Sequence, residues 1–425
     1  MSLTGRYGVF RRLVIALKLG RAQIREVWRI VSIRPPAPPR LLARVGFWSV
    51  SVAIRELSLQ LMLLGMVVIG ALLALGATGS AAGLVALALV AAATAAELRL
   101  TLLSLRTRAA VENPLEGIES EPGPRMRRSH LAFPFLMLLD RQVKVRRGLV
   151  YQPDSKPRLR VDVYEPRAHD LTPGPRPAVI QVHGGGWISG SRLEQGIPLL
   201  NHLAATGWVG LNIDYRLSPQ ASWPDHIVDV KRAIAWAREN ADELEIDHER
   251  ICITGGSAGG HLSALAGLTE NDPAFQPGFE DADTSISAAV PFYGIYDLTD
   301  ADGIYYPQLR DWVLEQILFK ARFADDPELF RSASPRHRVH PDAPPFMVIH
   351  GDRDSLVPVA DARTFTDELS AVARNPVRYL ELAGGEHAFD LLPSPRSAPT
   401  VEAIERFLRA MVRPRTHAAA PSPAG

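Results

Sequence analysis

A serine stands among glycines in the segment Gly255-Gly256-Ser257-Ala258-Gly259, directly after the apolar run Arg250–Thr254. A strand that turns sharply into a helix needs small residues around the reversal, and it leaves the central side chain exposed. The serine hydroxyl would then lie near a helix N-terminus, which favours developing negative charge. The pattern Gly-x-Ser-x-Gly is weak by itself, but its position after a predicted strand indicates that Ser257 is a nucleophile.

Three consecutive glycines in His183-Gly-Gly-Gly-Trp187 follow another predicted strand. Without side chains, the backbone N–H groups of such a loop can turn toward a bound anion. We expect Gly184, Gly185 and Gly186 to form one half of an oxyanion hole. The N–H of Ala258, directly after the serine, is expected to form the other half.

Candidate acid and base residues follow two later strands. Asp352 and Asp354 both come directly after the run Phe346–His350. Asp354 is the better candidate because it stands farther past the strand, where a loop can direct it at a histidine; Asp352 then forms a turn. His387 lies in a glycine-containing loop after the last predicted strand, and the other histidines do not fit this position.

The order serine, aspartate, histidine is that of one known type of catalytic triad. In such a triad His387 removes the proton of Ser257 as the serine attacks an acyl carbonyl, and Asp354 orients the imidazole. An acyl-enzyme forms, and water then releases the acid. This chemistry requires no metal and no cofactor.

Short β-branched runs alternate with helical stretches from about residue 145 to 413, which predicts an α/β catalytic domain with a mostly parallel sheet flanked by helices. Helical periodicity covers Pro224–Leu244, Gly260–Leu268 and residues 400–412. The predicted strands are Leu159–Tyr164, Ala178–His183, Val209–Tyr215, Arg250–Thr254, Ala288–Tyr293, Phe346–His350 and Val377–Leu382. The aromatic-rich region 297–342 breaks this alternation, and it is either a helical cap over the site or ordinary surface helices.

No charged residue occurs between Glu56 and Glu97, and this apolar run is long enough for two membrane spans. We expect a transmembrane hairpin at 56–104, with spans at Leu57–Gly76 and Ala81–Leu103. The alternative is a helical hairpin buried inside a soluble fold. The remaining predicted segments are a basic amphipathic region at 1–55, a linker or cap-associated segment at 105–144, and a disordered tail at 414–425.

Both flanks of the apolar run are basic, and the turn between the two spans carries no charge. A hairpin in the inner or plasma membrane with both ends in the cytoplasm satisfies this pattern. The catalytic domain is then cytoplasmic. If only one span forms, that domain lies on the opposite side.

Composition restricts the other function classes. The formal net charge of +1 gives no case for a nucleic-acid partner. Cys252 is the only cysteine, so an intrachain disulfide is impossible. The expected partners are an ester substrate and membrane lipids, and the oligomeric state stays open.

Together these motifs resemble the hormone-sensitive-lipase-like family of bacterial carboxylesterases and lipases. His183–Trp187 looks like the family's oxyanion motif, Asp214-Tyr-Arg-Leu-Ser-Pro219 resembles its Tyr-Arg-Leu-Ala-Pro stretch, and Asp229 matches an aspartate in the next helix. The resemblance covers roughly residues 150–412. It implies an α/β-hydrolase fold with an eight-stranded sheet, a helical cap, and short- or medium-chain acyl esters as substrates. The membrane-spanning front end is similar to that of some mycobacterial esterases.

One departure concerns the serine turn, where Gly256 stands in place of the acid that many family members have. The Trp187 ending and the stretch His350–Asp354 are also similar to arylformamidases and prolyl-oligopeptidase-like peptidases. An amidase or peptidase using the same triad is therefore the alternative to a membrane-tethered carboxylesterase. A third hypothesis is a catalytically silent membrane anchor or scaffold.

Overall fold

The computed structural model describes residues 39–118, 123–134, 142–167 and 174–412. Residues 1–38 of the predicted basic region, and the predicted tail at 414–425, lie outside the described residues. So do parts of the predicted linker.

The described residues form one eight-stranded sheet with the strand order β1-β2-β4-β3-β5-β6-β7-β8. Strand β2 is antiparallel to both of its neighbours, and β3 to β8 are parallel to one another. The strands are β1 Val143–Gln152, β2 Leu159–Pro166, β3 Arg176–Val182, β4 Val209–Ile213, β5 Ile246–Gly256, β6 Ala288–Phe292, β7 Phe346–Gly351 and β8 Val377–Leu382. The seven predicted strands correspond to β2 to β8, while β1 had no counterpart among the predictions.

Helices cover both faces of the sheet. Because successive strand residues point to opposite faces, Val179 packs in one apolar cluster and Ile180 in the other. The helices are α1 Pro39–Glu56, α2 Ser58–Ala74, α3 Ala81–Leu105, α4 Thr107–Ala110, α5 Arg128–Ala132, α6 Ile197–Ala205, α7 Asp225–Glu239, α8 Ala241–Leu244, α9 Ala258–Leu268, α10 Gln308–Phe319 (a π-helix), α11 Pro327–Ala333, α12 Val359–Val372 and α13 Ser397–Met411. This arrangement confirms the predicted α/β class and mostly parallel sheet.

The two predicted apolar spans coincide with helices α2 and α3. These helices pack closely at Gly65, where a Cβ atom would lie 2.2 Å from Thr94 Oγ1. The helical segment Ala81–Leu115 is long and apolar enough to cross a membrane. The most apolar stretch of this segment is not buried inside the protein. This argues against a hairpin enclosed in a soluble fold. Helices α1 and α2 are long and apolar enough to cross a membrane only if they are counted together as one span, which is bent by 71°.

Parallel strands place their carboxyl ends at one edge of the sheet. The loops after β3, β5, β7 and β8 therefore meet at that edge. These loops carry the predicted oxyanion, serine, aspartate and histidine residues.

Candidate active site

The serine turn has a backbone conformation that few residues other than glycine adopt. Ser257 has φ 58° and ψ −121°, a strained combination of the kind that clusters at functional sites. Its N–H donates to Phe292 O at 3.0 Å, and its carbonyl accepts from His261 N at 2.9 Å. The turn lies so close to β3 that a Cβ atom at Gly259 would lie 2.1 Å from Val182 O. Glycine is therefore required beside the serine for steric reasons.

Asp354 and His387 form a hydrogen-bonded pair with buried side chains, with 2.6 Å between Asp354 Oδ2 and His387 Nδ1. The other carboxylate oxygen accepts backbone N–H bonds from Leu356 at 2.8 Å and Val357 at 2.7 Å. His350 Nε2 lies 3.2 Å from Asp354 Oδ2. Burial alone would raise the pKa of Asp354, but the charge of His387 and the hydrogen bonds from His350 and His387 hold it well below its ordinary value. The carboxylate therefore stays ionised and can stabilise an imidazolium.

Asp352, the competing aspartate, has a different partner. Its Oδ1 accepts a hydrogen bond from Gly384 N at 2.6 Å, which ties the loop after β7 to the loop after β8. It is Asp354, the preferred candidate, that the structure brings to His387.

The glycine loop after β3 presents backbone N–H groups to the same site. Gly185 has φ 113° and Gly186 has φ 61°, so both adopt conformations that favour glycine. Their N–H groups donate to no acceptor among the described residues. The N–H of Ala258 lies in the first turn of α9, where no intrahelical acceptor exists. Gly184 differs, because its N–H donates to Gln195 Oε1 at 2.7 Å and is not available to a substrate.

Ser257 and His387 line one cavity of about 320 Å³, together with Gly185 and Gly186. One wall comes from the insertion 297–342, which contributes Tyr306, Leu309, Trp312 and Val313. The insertion thus contributes to the lining of the cavity, and it is called the cap below. Helix α1, whose contribution was not predicted, adds Leu41, Val45 and Trp48 to the lining.

Two further residues support the histidine loop. Trp48 Nε1 donates to His387 O at 2.8 Å. Glu386 Oε1 accepts from the backbone N–H of His387 at 3.0 Å and of Ser355 at 2.7 Å, which joins the loops after β7 and β8. The position of Glu386 beside the histidine could have indicated its role, but no local signal marks Trp48.

Other histidines near the site have structural contacts. His261 accepts from Trp187 Nε1 at 3.3 Å and donates through Nε2 to Ala333 O at 2.8 Å. Burial lowers its pKa to about 4, so it is neutral and links α9 to the cap. His183 stacks on Tyr215 with 4.3 Å between ring centroids. Within the described residues, no group of three or more His, Cys, Asp or Glu side chains is arranged to hold a metal ion.

The same region of the chain matches known proteins. A family model described as BD-FAE matches residues 161–369. The probable carboxylic ester hydrolase LipM of Mycobacterium tuberculosis is 47% identical over 264 residues, which cover 62% of this chain and 61% of LipM. The chain carries a hormone-sensitive-lipase-like α/β-hydrolase domain. Esterase LipC of the same organism is similar to it at 48% identity, over 64% of this chain and 66% of LipC. The hydrolase domain thus spans less than two thirds of the length of either relative.

Solved structures agree with this assignment of the hydrolase domain. The propionate-bound esterase Est2 of Thermogutta terrifontis has a TM-score of 0.52 at 26% identity, covering 63% of this chain and 94% of that chain. Thermogutta terrifontis esterase 2 phosphonylated by sarin has a TM-score of 0.54 at 25% identity, covering 64% of this chain and 96% of that chain. The fold similarity therefore extends over nearly the whole of these esterases.

Proposed function

We propose that this chain is a membrane-anchored serine carboxylesterase that hydrolyses short- to medium-chain acyl esters through an acyl-enzyme intermediate. The observation that carries the proposal is the 2.6 Å contact between Asp354 and His387, because His387 also lines one cavity with Ser257. The esterase names of its relatives favour an ester over an amide substrate.

In the proposed reaction, His387 takes the proton of Ser257 as the serine oxygen attacks the ester carbonyl. The N–H groups of Gly185, Gly186 and Ala258 stabilise the oxyanion, and each such donor typically contributes about 3 kcal/mol to lowering the barrier. His387 then protonates the leaving alcohol, and it activates the water that releases the acid. Gly184 is left out of this oxyanion hole because Gln195 occupies its N–H.

Two contacts support a hairpin anchor rather than a single span. Helix α1 precedes the apolar helices, and the hydrolase domain follows them, yet Arg44 on α1 donates to Ser355 O at 2.9 Å. Arg55 at the end of α1 donates to Gly384 O at 3.1 Å. Both ends of the α2–α3 pair therefore lie on the same side, which the basic flanks indicate to be the cytoplasm. Protease protection of the hydrolase domain in inverted vesicles would overturn this orientation.

A fluorophosphonate probe tests the serine mechanism, and it is suitable because the similar Thermogutta esterase is phosphonylated by an organophosphorus compound. The full-length chain in detergent should be labelled, whereas Ser257→Ala should not. The neighbouring Ser263→Ala is the matched control and should be labelled like the wild type, since Ser263 donates to Gly260 O inside α9. Absence of labelling in folded wild-type protein would favour the silent scaffold.

Steady-state kinetics distinguish the possible substrate classes. An acyl-chain series of p-nitrophenyl esters should give the highest kcat/KM at short to medium chains. A matched p-nitroanilide should be hydrolysed far more slowly than the ester of the same acid. A higher kcat/KM on the anilide would replace the esterase with an amidase.

A further inference from the structure

Helix α1 (Pro39–Glu56) directs Arg44, Ser51 and Arg55 toward the protein. Arg44 and Arg55 bond to backbone carbonyls of the catalytic loops, as described above. Ser51 Oγ donates to Glu386 Oε2 at 2.7 Å. The guanidinium of Arg44 also lies 4.2 Å from the ring centroid of Tyr306 in the cap. The charged face of this helix is thus directed at the active site.

The opposite face of α1 is exposed, and between Arg44 and Arg55 its one polar side chain is Ser49, whose hydroxyl donates to Val45 O within the helix. Phe47 is 65% exposed, Val50 59% and Ile54 39%. The exposed positions between Arg44 and Arg55 carry no charge. An amphipathic helix on a water-soluble domain has the reverse arrangement, so this exposed face indicates an apolar partner.

The direction of α1 identifies that partner as a lipid bilayer. The helix bends by 71° into α2, whose own side chains Leu64 and Val67 are 58% and 67% exposed. With α2 along the bilayer normal, α1 lies close to the membrane plane, where interfacial helices bury one apolar face. Helix α1 ends at Glu56, directly before the first proposed span, so its exposed apolar face lies next to that span in the chain.

The inner side of the same helix is the wall of the catalytic cavity. Leu41, Val45 and Trp48 line that cavity beside His387. We propose that α1 lies in the membrane interface and forms the wall between bilayer and active site, so that the enzyme takes lipid esters whose acyl chains reside in the bilayer. This inference rests on the proposed esterase function, and it specifies the physical state of the substrate.

Membrane contact can be measured without activity. Phe47→Cys in the full-length chain is labelled with the fluorophore NBD; the native Cys252 is buried and does not interfere. Val372→Cys on α12, 41% exposed, is the matched control. In phosphatidylcholine vesicles containing doxyl-labelled lipid, we expect quenching of NBD at position 47 but not at position 372.

Kinetics then test the route of the substrate. Val50→Asp places a charge on the outer face of α1, and Val372→Asp is the same change on an exposed valine elsewhere. With dioctanoylglycerol, a medium-chain diester that partitions into phosphatidylcholine vesicles, Val50→Asp should lose at least tenfold in kcat/KM, while Val372→Asp should keep wild-type values. With soluble p-nitrophenyl butyrate in detergent, both variants should match the wild type.

Several outcomes would overturn the proposal. Unquenched NBD at position 47 would show that α1 does not contact lipid. If the particle mass were also doubled and the probe shielded from water, the exposed face of α1 would belong to an interface with a second copy of the chain. Equal losses by Val50→Asp on both substrates would show a merely structural role. If quenching occurs but no fluorophosphonate labels the protein, the proposed esterase function fails while the membrane contact stands.

Discussion

The hydroxyl of Tyr293 lies 2.6 Å from the point that a Cβ atom at position 256 would occupy. Tyr293 donates a hydrogen bond to Asp390, and its ring centroid lies 4.6 Å from that of His387. The departure at Gly256 from the acid common in similar esterases therefore has a steric reason, because Tyr293 fills the space beside the serine turn.

Gly256→Ala should lower kcat on p-nitrophenyl butyrate by at least tenfold. The new Cβ atom pushes the Tyr293 ring toward His387, and overpacking of this kind typically costs about 1–3 kcal/mol. Steady-state kinetics check the expected loss, and circular dichroism checks that the variant folds.

The control for this prediction is a double-mutant cycle with Tyr293→Ala. In that background the alanine at position 256 meets no ring, so Gly256→Ala should have little additional effect on kcat. An equal loss in both backgrounds would contradict the steric explanation.

Asp354→Asn should reduce kcat by a factor on the order of 10⁴, the size of the loss when the triad aspartate of a serine protease is changed to asparagine. The amide cannot stabilise the imidazolium of His387, and it favours the wrong tautomer. KM for p-nitrophenyl butyrate should change little.

Asp352→Asn is the matched control, two residues away. Asparagine can still accept the Gly384 N–H bond, so kcat should stay close to the wild-type value, with at most about 1 kcal/mol lost in stability. If Asp352→Asn were the more damaging change, the assignment of the acid would be reversed.

His350 is a positioning residue that the sequence did not reveal. Its Nε2 lies 3.1 Å from Val357 O and 3.2 Å from Asp354 Oδ2. His350→Leu removes a hydrogen bond to a charged group, worth about 1.5–3 kcal/mol. We expect kcat to fall roughly tenfold or more with KM unchanged.

A role through Asp354 predicts that the effect depends on its charge. In an Asp354→Asn background, His350→Leu should therefore change kcat much less than it does in the wild type. If His350→Leu lowered kcat by the same factor in both backgrounds, His350 would instead support only the packing of β7.

Sequence patterns predicted most of this site because its parts are local. Ser257 with its flanking glycines, and the loops after β7 and β8, are short segments whose chemistry can be recognised within a few residues. Strand β1 was missed because Lys144, Arg146 and Arg147 interrupt its apolar alternation, and Gly148 with φ 73° interrupts its register with β2.

Long-range contacts could not be predicted in this way. Trp48 reaches His387 across 339 positions of the chain, and periodicity in α1 indicates an amphipathic helix but not what it packs against. The occupation of the Gly184 N–H by Gln195 likewise depends on a loop conformation that composition does not determine. The sequence thus predicted the candidate reacting groups, whereas the supports of His387 required the three-dimensional structure.

Stability should fall with rising pH because of Asp361, which joins α12 to the base of the cap. Its Oδ2 accepts from Tyr296 N and the Tyr305 hydroxyl, both at 2.6 Å, and its Oδ1 is buried without a partner among the described residues. Burial raises the pKa of Asp361 from 3.8 to about 6, although both hydrogen bonds lower it. The folded state therefore binds this proton more tightly than the unfolded state does.

The stability contributed by Asp361 is fully present below its unfolded pKa of 3.8 and is lost as pH rises through about 6. A shift of this size corresponds to about 3 kcal/mol. Asp361→Asn resembles the protonated acid at every pH, so the difference in Tm between variant and wild type should move in favour of the variant between pH 4.5 and pH 8. Thermal unfolding of both proteins in detergent over that range measures this difference, and two parallel Tm curves would show that Asp361 does not titrate there.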